Sequence, residues 1–183
     1  GLQEIGSRAF MGCKNLQAIV IPSSVRTIKY EAFANCTILK NVSFLSTDIE
    51  MSADTFDKCP DLKDKDGFTI INNIVFKYEG QGGNVVVPEG VVEIAPDVFR
   101  EGYSRARRSS KEYRKEGSLK QITLPSTLKI IGNNAFDGCI ALTEINIPNS
   151  VISIGNQVFY GCSKLTSINL SSELVNIGSV ALY

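Results

Sequence analysis

A β-rich repeat solenoid of about seven 23-residue units is the fold this sequence predicts. Three observations predict it: columns of like residues recur every 23 positions, short segments alternate buried and outward residues as strands do, and proline directly follows several of those segments. With 183 residues, 43% of them apolar, the chain has enough apolar surface to bury a core, which argues against disorder of the whole chain. Nineteen basic and nineteen acidic residues cancel, leaving no global field to draw the protein to nucleic acid or an anionic membrane. Apolar runs such as Val85 to Val87 and Val91 to Val92 fall far short of the roughly 20 residues a helical membrane span needs.

The period carries the argument. Phe10, Phe33 and Phe56 are 23 residues apart, as are Cys13, Cys36 and Cys59, and Leu16, Leu39 and Leu62. In the second half Ile131, Ile154 and Ile177 keep that spacing, as do Phe136, Phe159 and Leu182, Cys139 and Cys162, and Leu119, Leu142 and Leu165. Counting Phe99, the column based on Phe10 gives seven units.

Within a unit, Leu16 to Ile21 reads as a strand. Ile19 and Ile21 point inward while Ala18 and Val20 point outward. Pro22, Pro88, Pro125 and Pro148 follow the strands and end the ladder, because proline lacks an N–H donor. A second apolar pair, Val25 with Ile28 and its equivalents, forms the return side of each coil. The Ala-Phe-x-Gly-Cys stretch then turns the chain, with the phenylalanines expected to stack along the inside. Each coil can cover its apolar face only against its neighbours, so no unit would fold alone.

Two intervals break the period. Phe56 to Phe99 is 43 residues, read as 23 plus an insertion of 20, and Phe99 to Phe136 is 37, read as 23 plus 14. In the first, β-prone runs flank Asn72-Asn73, which tolerates the positive φ of a tight hairpin turn. The second carries seven basic residues, Arg100, Arg105, Arg107, Arg108, Lys111, Arg114 and Lys115, against Glu101, Glu112 and Glu116, and is expected to bulge as a loop or short surface helix. The chain is thus read as one solenoid over 1–183: repeats at 1–62, a hairpin insertion at 63–84, a repeat at 85–99, a basic insertion at 100–117 and repeats at 118–183. Because both ends fall inside a unit, the chain is expected to be a fragment of a longer protein.

The repeated Ile-Gly-x-x-Ala-Phe-x-x-Cys-x-x-Leu-x-x-Ile-x-Ile-Pro-x-Ser-Val, clearest at 5–25 and 131–151, and the Val-Pro-Glu-Gly-Val-Val-Glu-Ile segment after the hairpin resemble the BspA-like, treponemal type of leucine-rich repeat of bacterial surface and secreted proteins. The match spans everything except about 100–117; the Phe99 unit lacks its cysteine and the last unit has Leu182 for phenylalanine. The resemblance implies an α/β-type, β-rich repeat solenoid wound as a right-handed leucine-rich-repeat horseshoe. It also implies an extracellular or cell-surface location, a role in adhesion or protein binding, and no conserved active site.

Residue chemistry points the same way. The chain has no histidine, which excludes a Cys-His dyad, a Ser-His-Asp triad and histidine-based metal sites. The cysteines all occupy one repeat column, where buried small side chains are expected; neighbouring coils bring Cys13 near Cys36 and Cys139 near Cys162, but parallel side-chain directions disfavour a disulfide. Asp64-Lys65-Asp66-Gly67 faintly resembles a calcium loop, yet the ligand positions would fall on Leu62 and Asn73, so a solvated turn is the reading. Gly80 to Gly83 is followed by no Lys-Ser/Thr and no helix, so it is not a phosphate loop. No cofactor and no metal are expected.

Two surfaces remain as candidates. One is the outward row of the strands: Asn41, Ser43, Gln121, Thr123, Glu144, Asn146, Ser167 and Asn169. The other is the basic tract, with Arg105, Arg107, Arg108, Lys111 and Arg114 to hold an anionic partner and Tyr103 and Tyr113 to stack. The reading is a non-enzymatic surface or secreted module that binds a protein, from a host or a bacterial surface. The alternative is a carbohydrate- or polyanion-binding module using the sheet face or the basic tract; nucleic acid is disfavoured by the charge balance.

Overall fold

The computed structural model describes residues 1–46, 49–52, 54–101 and 118–182 of the chain. They form two compact units, Gly1–Asn72 and Asn73–Tyr183. The first holds β1 (Glu4–Ile5), β2 (Ala18–Ile21), β3 (Thr27–Ile28), β4 (Asn41–Phe44), β5 (Glu50–Met51) and β6 (Phe68–Ile71), with a 3-10 turn at Pro60–Leu62. The second holds β7 (Ile74–Tyr78), β8 (Gly83–Val86), β9 (Glu93–Ile94), β10 (Leu119–Thr123), β11 (Ile130–Ile131), β12 (Glu144–Asn146), β13 (Ser153–Ile154), β14 (Ser167–Asn169) and β15 (Asn176–Ile177). Among the described residues the 3-10 turn is the one helical element, so the β-rich solenoid expected from the sequence is the architecture observed.

Within each unit, neighbouring coils are hydrogen-bonded on up to three sides. The first is the foreseen strand, starting two residues later than expected: β2 pairs in parallel with β4, Ile19 opposite Val42 and Ile21 opposite Phe44. In the second unit β8 pairs with β10 and β12 with β14, again in parallel. The return side is also a sheet, which the sequence did not announce. Strands β1, β3 and β5 form one ladder, and β7, β9, β11, β13 and β15 form another. Most of these strands are two residues long, too short to show a period of 2. The third side is the turn that carries phenylalanine. There the amides of Arg8, Phe10 and Gly12 reach the carbonyls of Tyr30, Ala32 and Ala34 on the next coil. Those N–H groups are spent between coils and not on i−4 carbonyls, which is why no helix forms there.

Backbone conformation repeats with the coils. Arg8, Glu31, Asp97, Asn134, Gln157 and Val180 occupy one column, all with φ between 53° and 63°. The Ile-Gly column has a different cause: a Cβ on Gly155 would lie 2.5 Å from Asn133 Oδ1 and 2.6 Å from its backbone nitrogen. That close approach lets Asn133 Oδ1 accept from the amide of Asn156, and Asn156 Oδ1 from that of Ser179, both at 2.7 Å. An asparagine ladder therefore braces successive coils.

The aromatic column forms as expected. Phe10, Phe33 and Phe56 stack with centroids 5.0 and 5.5 Å apart; Phe99, Phe136 and Phe159 stack at 5.2 and 5.5 Å. Each such pair contributes about 0.5–1.5 kcal/mol beyond burial of the rings. Beside them runs a cysteine column: the thiols of Cys36, Cys59, Cys139 and Cys162 donate to the carbonyls of Phe10, Phe33, Phe99 and Phe136 on the preceding coil, at 3.1–3.2 Å. All five cysteines are free.

The interval from Phe56 to Phe99 contains a further rung. Asn72 and Asn73, with φ of 49° and 63°, make the left-handed pair that a type I′ turn requires between β6 and β7. Strand β7 then joins the return sheet beside β9, Val75 opposite Ile94, and Tyr78 lies 5.2 Å from Phe99 in the aromatic column. The 43 residues thus divide at Tyr78 into 22 and 21, a spacing that departs from 23 and so escapes the column search.

The buried hydroxyls of Thr55 and Ser150 have no hydrogen-bond partner among the described residues, and Thr55 is 1% exposed. Its column holds Val98 and Val158, both buried, in the second unit. Thr55→Val should therefore raise the unfolding free energy by about 1 kcal/mol, because an unsatisfied buried hydroxyl costs roughly 1–3 kcal/mol. An unchanged or lower urea midpoint would refute this.

Candidate functional site

All eight sheet-face residues singled out from the sequence are exposed, as the alternation in each strand dictates. Asn41 and Ser43 stand on β4 in the first unit, opposite Ala18 and Val20 of β2, and Val20 and Leu45 leave that face partly apolar. The other six belong to the second unit and come together. Gln121 and Thr123 on β10, Glu144 and Asn146 on β12, and Ser167 and Asn169 on β14 line a shallow groove of about 330 Å³ floored by Ile122 and Ile145. Register sets Glu144 beside Ser167 and Asn146 beside Asn169.

The side chains of these six hydrogen-bond or ion-pair with no described residue. Polar groups elsewhere in the unit brace the coils: Thr127 donates to the Val91 carbonyl at 2.7 Å, Thr166 to that of Thr143 at 3.2 Å, and Ser171 to that of Asn149 at 3.1 Å. Three amides and two hydroxyls, each able to donate and accept, together with one carboxylate, therefore present unused hydrogen-bonding capacity on one concave strip.

The basic tract cannot be placed in the same way: Arg105, Arg107, Arg108, Lys111, Arg114 and Lys115, with Tyr103 and Tyr113, lie outside the described residues. Its edges are described. Arg100, counted with the tract in the sequence, braces two coils through Asp97 at 3.0 Å and Asp137 at 2.8 Å. Burial pushes the Asp137 carboxyl above the usual aspartate range, against the opposing pull of Arg100. Glu101 is 3% exposed; its carboxylate accepts from the Ser118 hydroxyl and, at 2.8 Å, from the Leu119 amide. The Glu101 amide in turn donates to the backbone carbonyl of Asp137, and the Glu101 carbonyl lies against the place a Cβ on Gly138 would take. This clasp joins the residues on either side of 102–117. The sequence offered no sign of it, since Glu101 read as one of three glutamates diluting a basic run.

Other candidate chemistry is taken up by structure. Burial raises the Cys36 thiol and pushes that of Cys162 up to about 11, so these thiols stay protonated at neutral pH. Asp64 Oδ1 accepts from the amides of Asp66 and Phe68 at 2.9 and 2.8 Å, which makes it a turn-shaping residue. Among the described residues no group of three or more acidic, cysteine or histidine side chains is placed to hold a metal ion, and no helix is long and apolar enough to cross a membrane.

Comparison with known proteins places these features. No curated protein sequence matches the chain. Among solved structures, a leucine-rich repeat protein from Bacteroides ovatus is 25% identical, with a TM-score of 0.46; the alignment covers 97% of this chain and 43% of that one. The pneumococcal vaccine antigen PcpA is 22% identical with a TM-score of 0.54, over 97% of this chain and 50% of its own, and shares the fold. A Treponema pallidum leucine-rich repeat protein is 22% identical over 97% of this chain and 67% of its own, with a TM-score of 0.33. The chain thus spans about half the length or less of the first and second of these. A family described as BspA type leucine-rich repeat region, in 6 copies, matches residues 2–104 and 108–183. With the coils, the phenylalanine column and nearly the whole sequence in agreement, the chain belongs to the BspA-type leucine-rich-repeat family.

Proposed function

We propose that this chain is a non-enzymatic, surface-exposed or secreted module that binds a protein partner through the sheet face of its second unit. The observation that carries the reading is the groove on β10, β12 and β14, whose six polar side chains make no bond to any described residue. Solenoids offer such rows as extended recognition surfaces, and family membership supports an interaction role outside the cell. The groove has no aromatic lining, which removes the stacking platform a sugar-binding face would use.

The test is binding to immobilised extracellular-matrix and bacterial surface proteins. A partner retained at micromolar concentration should bind about tenfold or more weakly to a Gln121→Ala, Asn146→Ala, Asn169→Ala variant. Arg105→Ser, Arg107→Ser, Arg108→Ser should leave binding intact. Loss of binding in the arginine variant alone, or glycan binding in place of protein binding, would overturn the proposal.

A further inference from the structure

Glu144 is the one formally charged residue among those lining the groove. It stands on β12, between β10 and β14, with Ser167 in register on one side. Some carboxylates elsewhere on the coils have cationic partners: Glu4 meets Lys29 at 2.9 Å, Glu31 meets Arg8 at 2.7 Å, and Asp137 meets Arg100 at 2.8 Å, whereas Glu50, Glu93 and Glu173 have none among the described residues. Glu144 also has none among the described residues. A carboxylate left unpaired at the centre of a concave polar strip is a point of attraction for a cation, and it disfavours any anionic ligand there.

The flanking side chains narrow the ligand further. Gln121, Asn146 and Asn169 each offer an acceptor oxygen and donor N–H groups, the complement of backbone peptide groups. Three adjacent strands about 4.8 Å apart span roughly 10 Å, which matches about three residues of an extended chain. We propose that the groove takes an extended protein segment carrying a lysine or arginine, whose cationic head seats on Glu144 while its backbone meets the flanking amides. This rests on the groove being the binding surface, and it adds selection by charge.

The probe is the short capped peptide Ser-Gly-Arg-Gly-Ser, titrated into the isotopically labelled chain, with the citrulline peptide as its neutral counterpart. Amide shift changes should cluster at Gln121, Glu144, Asn146 and Ser167, and the arginine peptide should bind about threefold to tenfold more tightly than the citrulline one. Glu144→Gln should abolish that difference, and Glu144→Lys should favour a peptide with glutamate in place of arginine. Because the Glu144 side chain is exposed and bonds to no described residue, these variants should melt with the parent. Equal binding of both peptides in the groove, unchanged by Glu144→Gln, would overturn selection by charge and leave the groove as the binding surface. Shifts confined to other surfaces, or none with any peptide at millimolar concentration, would overturn both.

Discussion

Replacing Glu101 by alanine is expected to lower the unfolding free energy of the second unit by about 3 kcal/mol, the larger part of it from a single amide. The Glu101 carboxylate holds the Ser118 hydroxyl and the amide of Leu119, a residue with no exposure at all. Hydrogen bonds to a charged acceptor contribute about 1.5–3 kcal/mol each, and a buried N–H left alone bears its whole desolvation cost. Some of this is offset because alanine no longer requires a carboxylate to be buried. Glu101→Gln keeps an acceptor oxygen and should fall between the two. The measurement is urea unfolding combined with amide exchange at Leu119, whose protection should drop with the midpoint. A Glu101→Ala protein as stable as its parent would show that the clasp holds nothing.

The second large effect is expected at Phe136. Its ring has no exposure and is stacked on both faces, by Phe99 at 5.2 Å and Phe159 at 5.5 Å. Truncation of a buried phenylalanine to alanine costs about 3–5 kcal/mol, and two lost stacking contacts place Phe136→Ala toward the upper end. Coils depend on nearest neighbours, so the damage should stay local: exchange should accelerate in the coils on either side of Phe136 before it does so in β7. Phe136→Leu, which keeps most of the volume, should lose about half as much. Uniform loss of protection across the unit would count against a nearest-neighbour solenoid.

What was legible in the sequence was whatever repeats at a fixed spacing with a fixed chemistry. The phenylalanine and cysteine columns and the inward Ile19 and Ile21 gave the coil, and Asn72-Asn73 gave the turn between β6 and β7. The return sheet was hidden because a two-residue strand such as Thr27–Ile28 leaves no periodic trace. Tyr78 escaped because its distances to Phe56 and Phe99 are 22 and 21 residues. The asparagine brace escaped because Asn133 and Asn156 look like any polar turn residues until the glycine beside each lets the coils approach.

For the candidate site, alternation alone named the exposed face residues. It could not separate Asn41 and Ser43 from the six that share the groove, nor show that those six are unengaged, because both depend on which coils lie side by side and on where each side chain finds its bonds. Glu101 illustrates the same limit. Its neighbours Ser118 and Leu119 are 17 and 18 positions away, across an interval whose length no repeat specifies.

The cysteine column has a consequence for endurance. Four thiols lie in the wall between coils, each donating to a phenylalanine carbonyl one coil back, and Cys162 is held protonated by burial. Disulfide exchange proceeds through an accessible thiolate; burial keeps these four sulfurs from solvent, and in Cys36 and Cys162 it also raises the thiol pKa. These four cysteines can therefore stay unpaired in the presence of other disulfides without scrambling, their sulfur chemistry silenced by the same stacking that holds the coils together, while Cys13 on the first coil is only half-buried.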